Sequence, residues 1–303
     1  MKTYGNFVNG KWVQTRYSLE VINPYSQKPI SRVSDSSPKD VDKAVDAARQ
    51  AFDNGPWPQM TPGERSAWML KLADELQKRS EELSKLECMN QGKSWKMAHD
   101  GDIPFGIDNL KFFAGAARVL QNQTAGNYAV FDEDGKHKPA GFSILKREPV
   151  GVVAAITPWN YPFMMACWKI GPALAAGNTL VLKPASATPL TTLEIASAAE
   201  KIDFPKGVLN VVTGSGSVVG SYLAKHERVD MIALTGNTET GKEIQRFASR
   251  NVKRVHLELG GKAPFIVLED ANVGEAAQGA LIGGIINSGQ DCTAATRMYV
   301  HEK

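Results

Sequence analysis

Apolar residues along this chain recur with two different periods, and the change of period divides it. In the first third the spacing is helical. A segment over 38–52 opens directly after Ser37, and a second opens at Thr61-Pro62-Gly63-Glu64. There the threonine can cap first-turn amides, Glu64 sits at the reciprocal capping-box position, and proline occupies the first turn. Leu70, Leu72, Ala73, Leu76 and Leu83 continue this second segment as an apolar stripe. Ahead of both helices, 7–13 carries Asn9-Gly10 at its centre. That dipeptide is typical of a two-residue hairpin turn.

From 127 to 147 the chain becomes charged and turn-rich around Asp132-Glu133-Asp134-Gly135-Lys136, then alternates over 142–146. This reads as a protruding hairpin, with a plain surface loop as the alternative. Short apolar runs then alternate with amphipathic segments: strands at 150–156, 179–182, 208–212, 231–234, 254–257 and 265–268, and helices at 162–176, 189–201, 218–225 and 239–249. The order predicts an α/β fold with a doubly wound, mostly parallel, Rossmann-like sheet and a ligand crevice at its strand ends. A further helix over 273–286 is apolar enough to leave surface exposed unless another layer covers it.

Composition narrows the function classes. At 303 residues the chain can form two domains or one large one with additions. Its 35 basic and 32 acidic residues are mixed throughout and leave a net charge of +3, so no polybasic block points to nucleic acid or an anionic membrane. The first six residues lack the apolar core of a signal peptide, and no apolar run approaches the length of a membrane span. Cys88, Cys167 and Cys292 offer neither a disulfide framework nor metal-ligand spacing, so no metal is expected and a reducing cytoplasm is the simplest compartment.

Candidate chemistry starts at Gly289-Gln290-Asp291-Cys292-Thr293, where a cysteine stands in a polar turn after an apolar run. A reactive thiol needs some exposure and neighbours that stabilise the thiolate. Two more segments follow apolar strands: Ile156-Thr157-Pro158-Trp159-Asn160-Tyr161-Pro162 and Leu257-Glu258-Leu259-Gly260-Gly261-Lys262. With Cys292 they resemble the aldehyde dehydrogenase superfamily, which carries a W-N-[FY]-P turn, an E-L-G-G-K segment and a G-Q-x-C loop in this order. Lys183-Pro184-Ala185 and Leu234-Thr235-Gly236 lie between them, and Glu258 precedes Cys292 by 34 residues, a fitting interval. The similarity runs over the whole chain.

The resemblance implies an NAD(P)-binding domain from 1–126 and 148–258, an oligomerisation hairpin at 127–147, and the start of a catalytic domain at 259–303. The family continues well past the equivalent of Lys303, so the chain reads as C-terminally truncated. Family members form homodimers or homotetramers, an assembly that truncation would disturb. The implied cofactor is NAD, held by Ile156, Thr157, Pro158, Trp159, Lys183, Ser186, Gly216, Gly220, Thr235, Gly236, Asn237 and Leu259. Three of these positions depart from simple patterns. Gly214 to Gly220 exceeds the G-x-G-x-x-G spacing by one residue, Asn237 replaces a usual serine, and Ser186 replaces a glutamate that often binds the ribose hydroxyls. Without that carboxylate NADP is expected to be tolerated as well.

The implied catalytic set is Cys292 as nucleophile, Asn160 and the Cys292 amide as oxyanion donors, Glu258 as general base, and Lys169 as a secondary proton-path residue. Glu258 follows Val255 and Leu257 and is expected to be poorly solvated with a raised pKa, the alternative being a pair with a lysine such as Lys262. Lys169, on an amphipathic helix, is expected to be solvated. Met165, Trp168 and Asp291 are candidates for the substrate channel. A tryptophan face and a carboxylate suit a cationic aldehyde such as 4-aminobutanal or betaine aldehyde, and an aspartate just before the cysteine resembles the γ-aminobutyraldehyde dehydrogenases. The competing class is a truncated NAD-binding fragment that binds cofactor without turnover. A cysteine hydrolase ranks last, because none of the five histidines, His256 included, falls in a suitable motif.

Overall fold

The structure, a computed structural model, describes residues 1–302, of which 125–130 and 137–142 are described by their backbone. The chain opens with β1 (Lys2–Tyr4), the hairpin β2 (Asn6–Val8) and β3 (Lys11–Val13), then β4 (Tyr17–Ile22) and β5 (Pro29–Asp35). Asn9 and Gly10 both take positive φ, 52° and 74°, as a type I′ turn requires. Four helices follow: α1 (Pro38–Asp53), α2 (Pro62–Lys78), α3 (Ser80–Gln91) and α4 (Ile103–Ala116). The capping box at Thr61 and Glu64 forms as read from the sequence.

The apolar stripe differs in one respect. The helix breaks at Arg79, whose φ of −109° and ψ of 13° are not helical, so Leu83 is buried from α3 and not from α2. Leu70 points outward, and Met69 takes the inward place beside Leu72, Ala73 and Leu76. Positions 69, 72, 73 and 76 follow the 3.6-residue period, and 70 lies one step off that face.

The antiparallel pair β6 (Gln123–Phe131) and β7 (His137–Leu145) forms the hairpin expected near 127–147. The alternating part then runs β8 (Val152–Ile156), α5 (Pro162–Ala175), β9 (Thr179–Lys183), α6 (Leu190–Lys201), β10 (Leu209–Val211), α7 (Ser221–Lys225), β11 (Met231–Thr235), α8 (Thr238–Ala248) and β12 (Arg254–Glu258). It ends with β13 (Pro264–Val267), α9 (Val273–Ile285) and β14 (Arg297–Val300). The main sheet has the order β12-β11-β8-β9-β10-β2-β3, parallel from β12 to β10, with β2 added antiparallel. β1, β5 and β4 make a small separate sheet, and β13 pairs parallel with β14 in a two-stranded one.

Period-two alternation explains why helices cover both faces. In β8, Val153 and Ala155 join the core under α2, α4, α5 and α6, whereas Val152 and Ala154 join the core under α1, α7 and α8. β9 divides likewise, with Leu180 and Leu182 on one side and Val181 on the other. Strands buried on both faces are what a doubly wound sheet requires. The expected apolar surface at 273–286 is present: Leu281, Ile282 and Ile285 of α9 are exposed.

Candidate active site

Parallel strands send their carboxyl ends to one edge of the sheet, and the turns there line a crevice of about 600 Å³. Thr157, Pro158, Trp159 and Asn160 follow β8; Lys183 ends β9 and Ser186 follows it; Thr235, Gly236 and Asn237 come from the end of β11; Glu258 and Leu259 come from β12. Gly216, Met165, Asp291 and Cys292 complete the wall. Ile156 and Gly220 line a smaller adjoining cavity together with Gly216. A third cavity, of about 610 Å³, holds Trp168 and shares Met165, Glu258, Asp291 and Cys292 with the crevice. The structure therefore brings the expected site residues to these cavities, with Lys169 buried on α5 behind Glu258's neighbour His256.

Several local geometries differ from expectation. Gly216–Gly220 forms a π-helical turn capped by Ser215, whose Oγ accepts from the Val218 amide at 3.2 Å. A π-turn takes up an extra residue, which accounts for the long glycine spacing. Asn237 acts as the N-cap of α8, its Oδ1 accepting from the Thr240 amide at 2.7 Å. The amide thus does what a serine does at that place. Ser186 donates to the Gly214 carbonyl at 2.8 Å and ties two crevice turns together.

Lys183 is buried, and its Nζ donates to the Pro184 carbonyl at 2.8 Å. Burial pushes its pKa down to about 8. Two hydroxyls at the strand ends, Thr157 Oγ1 and Thr235 Oγ1, are buried with no hydrogen-bond partner among the described residues. Unsatisfied buried polar atoms are rare and call for an explanation. These orphan hydroxyls, a buried lysine and the capped α8 N-terminus fit a polyhydroxylated, anionic dinucleotide. Among the described residues no group of three or more His, Cys, Asp or Glu could hold a metal ion.

Three of the catalytic expectations need correction. The polar setting of Cys292 does not stabilise a thiolate: partial burial, and then the neighbouring Asp291 carboxylate, push its thiol pKa up. Asp291 is held beside it by the Thr293 amide and hydroxyl, each donating to Oδ1 at 2.9 Å. Glu258 is not poorly solvated. Its side chain is 56% exposed, because β12 is the edge strand and buries Val255 and Leu257 against α8 while His256 and Glu258 share the open face. Its partner is His256, with Nε2 3.5 Å from Oε1, and not Lys262. Lys169 is buried, not solvated. Burial lowers its pKa to about 8, Glu258 opposing the shift, and its Nζ lies 3.5 Å from His256 Nδ1.

Asn160 stands as expected at the turn after β8. Its Nδ2 donates to the Gln290 carbonyl at 2.9 Å, which leaves the second N–H of the amide available to the crevice. Its own carbonyl accepts from Lys93 Nζ at 3.0 Å and from Asn287 Nδ2 at 2.9 Å. Neither residue carries a sequence signal. Phe105, Asp100 and Asp108, which line the cavity with Trp168, were equally silent because they lie on α4 and the turn before it, far from any motif.

The aldehyde dehydrogenase family model matches residues 12–303. The chain is 42% identical over 297 residues to a phenylacetaldehyde dehydrogenase of Pseudomonas fluorescens, covering 97% of this chain and 58% of the relative. To human aldehyde dehydrogenase 1A1 it is 41% identical over 303 residues, covering 98% and 58%. A solved NAD+ complex of an aldehyde dehydrogenase from Bacillus cereus superposes with a TM-score of 0.92 at 40% identity, over 99% of this chain and 60% of that one. The chain thus spans somewhat more than half the length of the proteins it matches. With the turns after β8, β9, β11 and β12 arranged as the resemblance required, the chain belongs to the aldehyde dehydrogenase family.

Proposed function

We propose that this protein oxidises an aldehyde to its carboxylic acid with NAD, NADP being accepted as well. The observation that carries the reading is that Cys292, Asn160 and Glu258, drawn from three distant segments, line one crevice with the strand-end residues that fit a dinucleotide. Residues 1–126 and 148–258 would form the nucleotide-binding part and 259–303 the beginning of the catalytic part. The hairpin over 127–147 would serve assembly into a homodimer or homotetramer in the cytoplasm.

As a thiolate, Cys292 adds to the carbonyl carbon, forming an S–C bond and moving the C=O π pair onto oxygen. The free N–H of Asn160 and the Cys292 backbone N–H would face that oxyanion. The oxygen pair re-forms C=O as the carbon gives up its hydride, for which a bound nicotinamide would supply the acceptor, and a thioester on Cys292 is left. Glu258 then takes a proton from water, so that the oxygen adds to the thioester carbon and the C–S pair returns to sulfur. Its exposure leaves the carboxylate within reach of water for this role, and a glutamate here favours hydrolysis over transfer to coenzyme A. Lys183 would hold the adenosine ribose, with Ser186 placing no carboxylate against a 2′-phosphate.

For the substrate, the relatives do not single out one aldehyde, and the P. fluorescens relative is named for phenylacetaldehyde. The aminoaldehyde reading draws its support from the cavity that shares Cys292. Trp168, Phe105 and Tyr161 offer ring faces there, and Asp291, Asp100 and Asp108 offer carboxylates. Aromatic faces and carboxylates together attract an ammonium or a quaternary amine.

The test is NADH formation followed by absorbance with 4-aminobutanal, betaine aldehyde and phenylacetaldehyde, in the wild type and in Cys292→Ala. Turnover lost in Cys292→Ala and greatest for a cationic aldehyde is the expected result. Dinucleotide binding without turnover in the wild type would instead support the binding-fragment reading. A preference for phenylacetaldehyde would remove the cationic substrate and keep the reaction.

A further inference from the structure

The C-terminal end of α3 reaches two loops that meet at the crevice. Gly92 takes φ +89° as the left-handed cap of α3, and a Cβ there would lie 2.7 Å from Pro24. This turn sends its two neighbours toward the site: Gln91 Nε2 donates to Gln290 Oε1 at 2.7 Å, and Lys93 Nζ donates to the Asn160 carbonyl at 3.0 Å. Lys93 is buried, is paired with the buried Asp102, and has its Nζ 3.9 Å from the buried Glu87 and 4.5 Å from the centre of the Tyr161 ring. From the opposite side, Asn287 Nδ2 donates both to the Asn160 carbonyl at 2.9 Å and to the Gln290 carbonyl at 3.2 Å. Asn287 and Ser288 have positive φ, 52° and 59°, a conformation that costs energy outside glycine and persists only where the surroundings impose it.

We propose that Lys93 and Asn287 are positioning residues that clamp the Asn160 carbonyl from two sides, fixing the turn after β8 against the Cys292 loop so that the free Asn160 N–H is aimed at the developing oxyanion. A buried lysine–carboxylate pair is a poor source of net stability, because desolvation offsets most of the attraction. Its position on this one carbonyl gives it a different use. Two donors on one carbonyl restrain the peptide that carries the Asn160 side chain, and a misplacement of about 1 Å at a reacting centre can cost on the order of a hundredfold in rate. Asp102 holds the Lys93 Nζ in place as its ion-pair partner, and Gln91 holds the facing loop through the side chain of Gln290.

The proposal rests on Asn160 as an oxyanion donor, and a double-mutant cycle on the 303-residue chain separates the two. Lys93→Met, Asn160→Ala and their combination are compared by kcat with the best aldehyde and by the Kd for NAD. The expected result is that Lys93→Met lowers kcat between roughly tenfold and a hundredfold in the wild type and by less than about twofold in the Asn160→Ala background, with the NAD Kd little changed. Equal losses in both backgrounds would overturn the clamp and leave Asn160 as a donor. No loss in Asn160→Ala itself would overturn both. Should Lys93→Met fail to fold, Asn287→Gly runs the same cycle, since glycine keeps the left-handed backbone and deletes the donating side chain.

Discussion

Cys292 follows a carboxylate, and the sign of that charge decides the resting state of its thiol. Partial burial and Asp291 both raise the pKa above the ordinary cysteine value, so the sulfur rests protonated at neutral pH and has to be activated. Asp291→Asn is expected to shift the pH profile of iodoacetamide alkylation to lower pH and to speed labelling near neutrality. An unchanged profile would leave burial as the whole cause. Lys183 gives a second residue-scale expectation. Its pKa of about 8 means that it carries charge below that pH and is neutral above it. NAD affinity should therefore fall as pH rises through about 8, by roughly tenfold if one charge-assisted hydrogen bond of about 1.5 kcal/mol is lost. Fluorescence titrations on either side of that pH check this, and Lys183→Met should flatten the dependence.

Among the elements, those with a local cause were legible in advance. The Asn9-Gly10 turn, the starts of α1 and α2, and the strand–helix alternation after 150 rest on a turn dipeptide, capping residues and apolar periods that act over a few residues. Thr61→Ala removes the side-chain acceptor of the α2 capping box, while the backbone amide of residue 61 still donates to Glu64, and should cost about 1 kcal/mol in urea denaturation. What was not legible depends on partners far along the chain. The break at Arg79 comes where its guanidinium pairs with Glu194 of α6, 115 residues further along the chain. The exposure of Glu258 follows from β12 being the sheet edge, which strand order alone determines. Gly151 belongs to the same class: at φ +130° a Cβ would fall 1.9 Å from Asp230 Oδ2, the atom that accepts from the Val152 amide and pairs with Arg49. Gly151→Ala should destabilise the protein by about 3 kcal/mol, from strain and from loss of those contacts, with a matching fall in the urea midpoint.

At the scale of the whole molecule, the motif residues of the candidate site could be named from the sequence because each sits in a short recognisable segment. The residues that hold them could not. Lys93 and Asn287 are separated by most of the chain and meet only on the Asn160 carbonyl. The exposed apolar face of α9 also belongs to this scale. Replacing Leu281, Ile282 and Ile285 together by Gln should reduce the binding of a hydrophobic fluorescent dye to the 303-residue chain, and undiminished fluorescence would assign the dye to another surface.

The two large cavities share Met165, Glu258, Asp291 and Cys292 as a common partition. The proposed reaction would inherit a simple rule from that wall. On the proposed reaction, a dinucleotide in the crevice and an aldehyde in the Trp168 cavity would meet at the sulfur from its two sides, so that neither would have to pass the other. An acid formed there would then have its own way out with the reduced dinucleotide still seated.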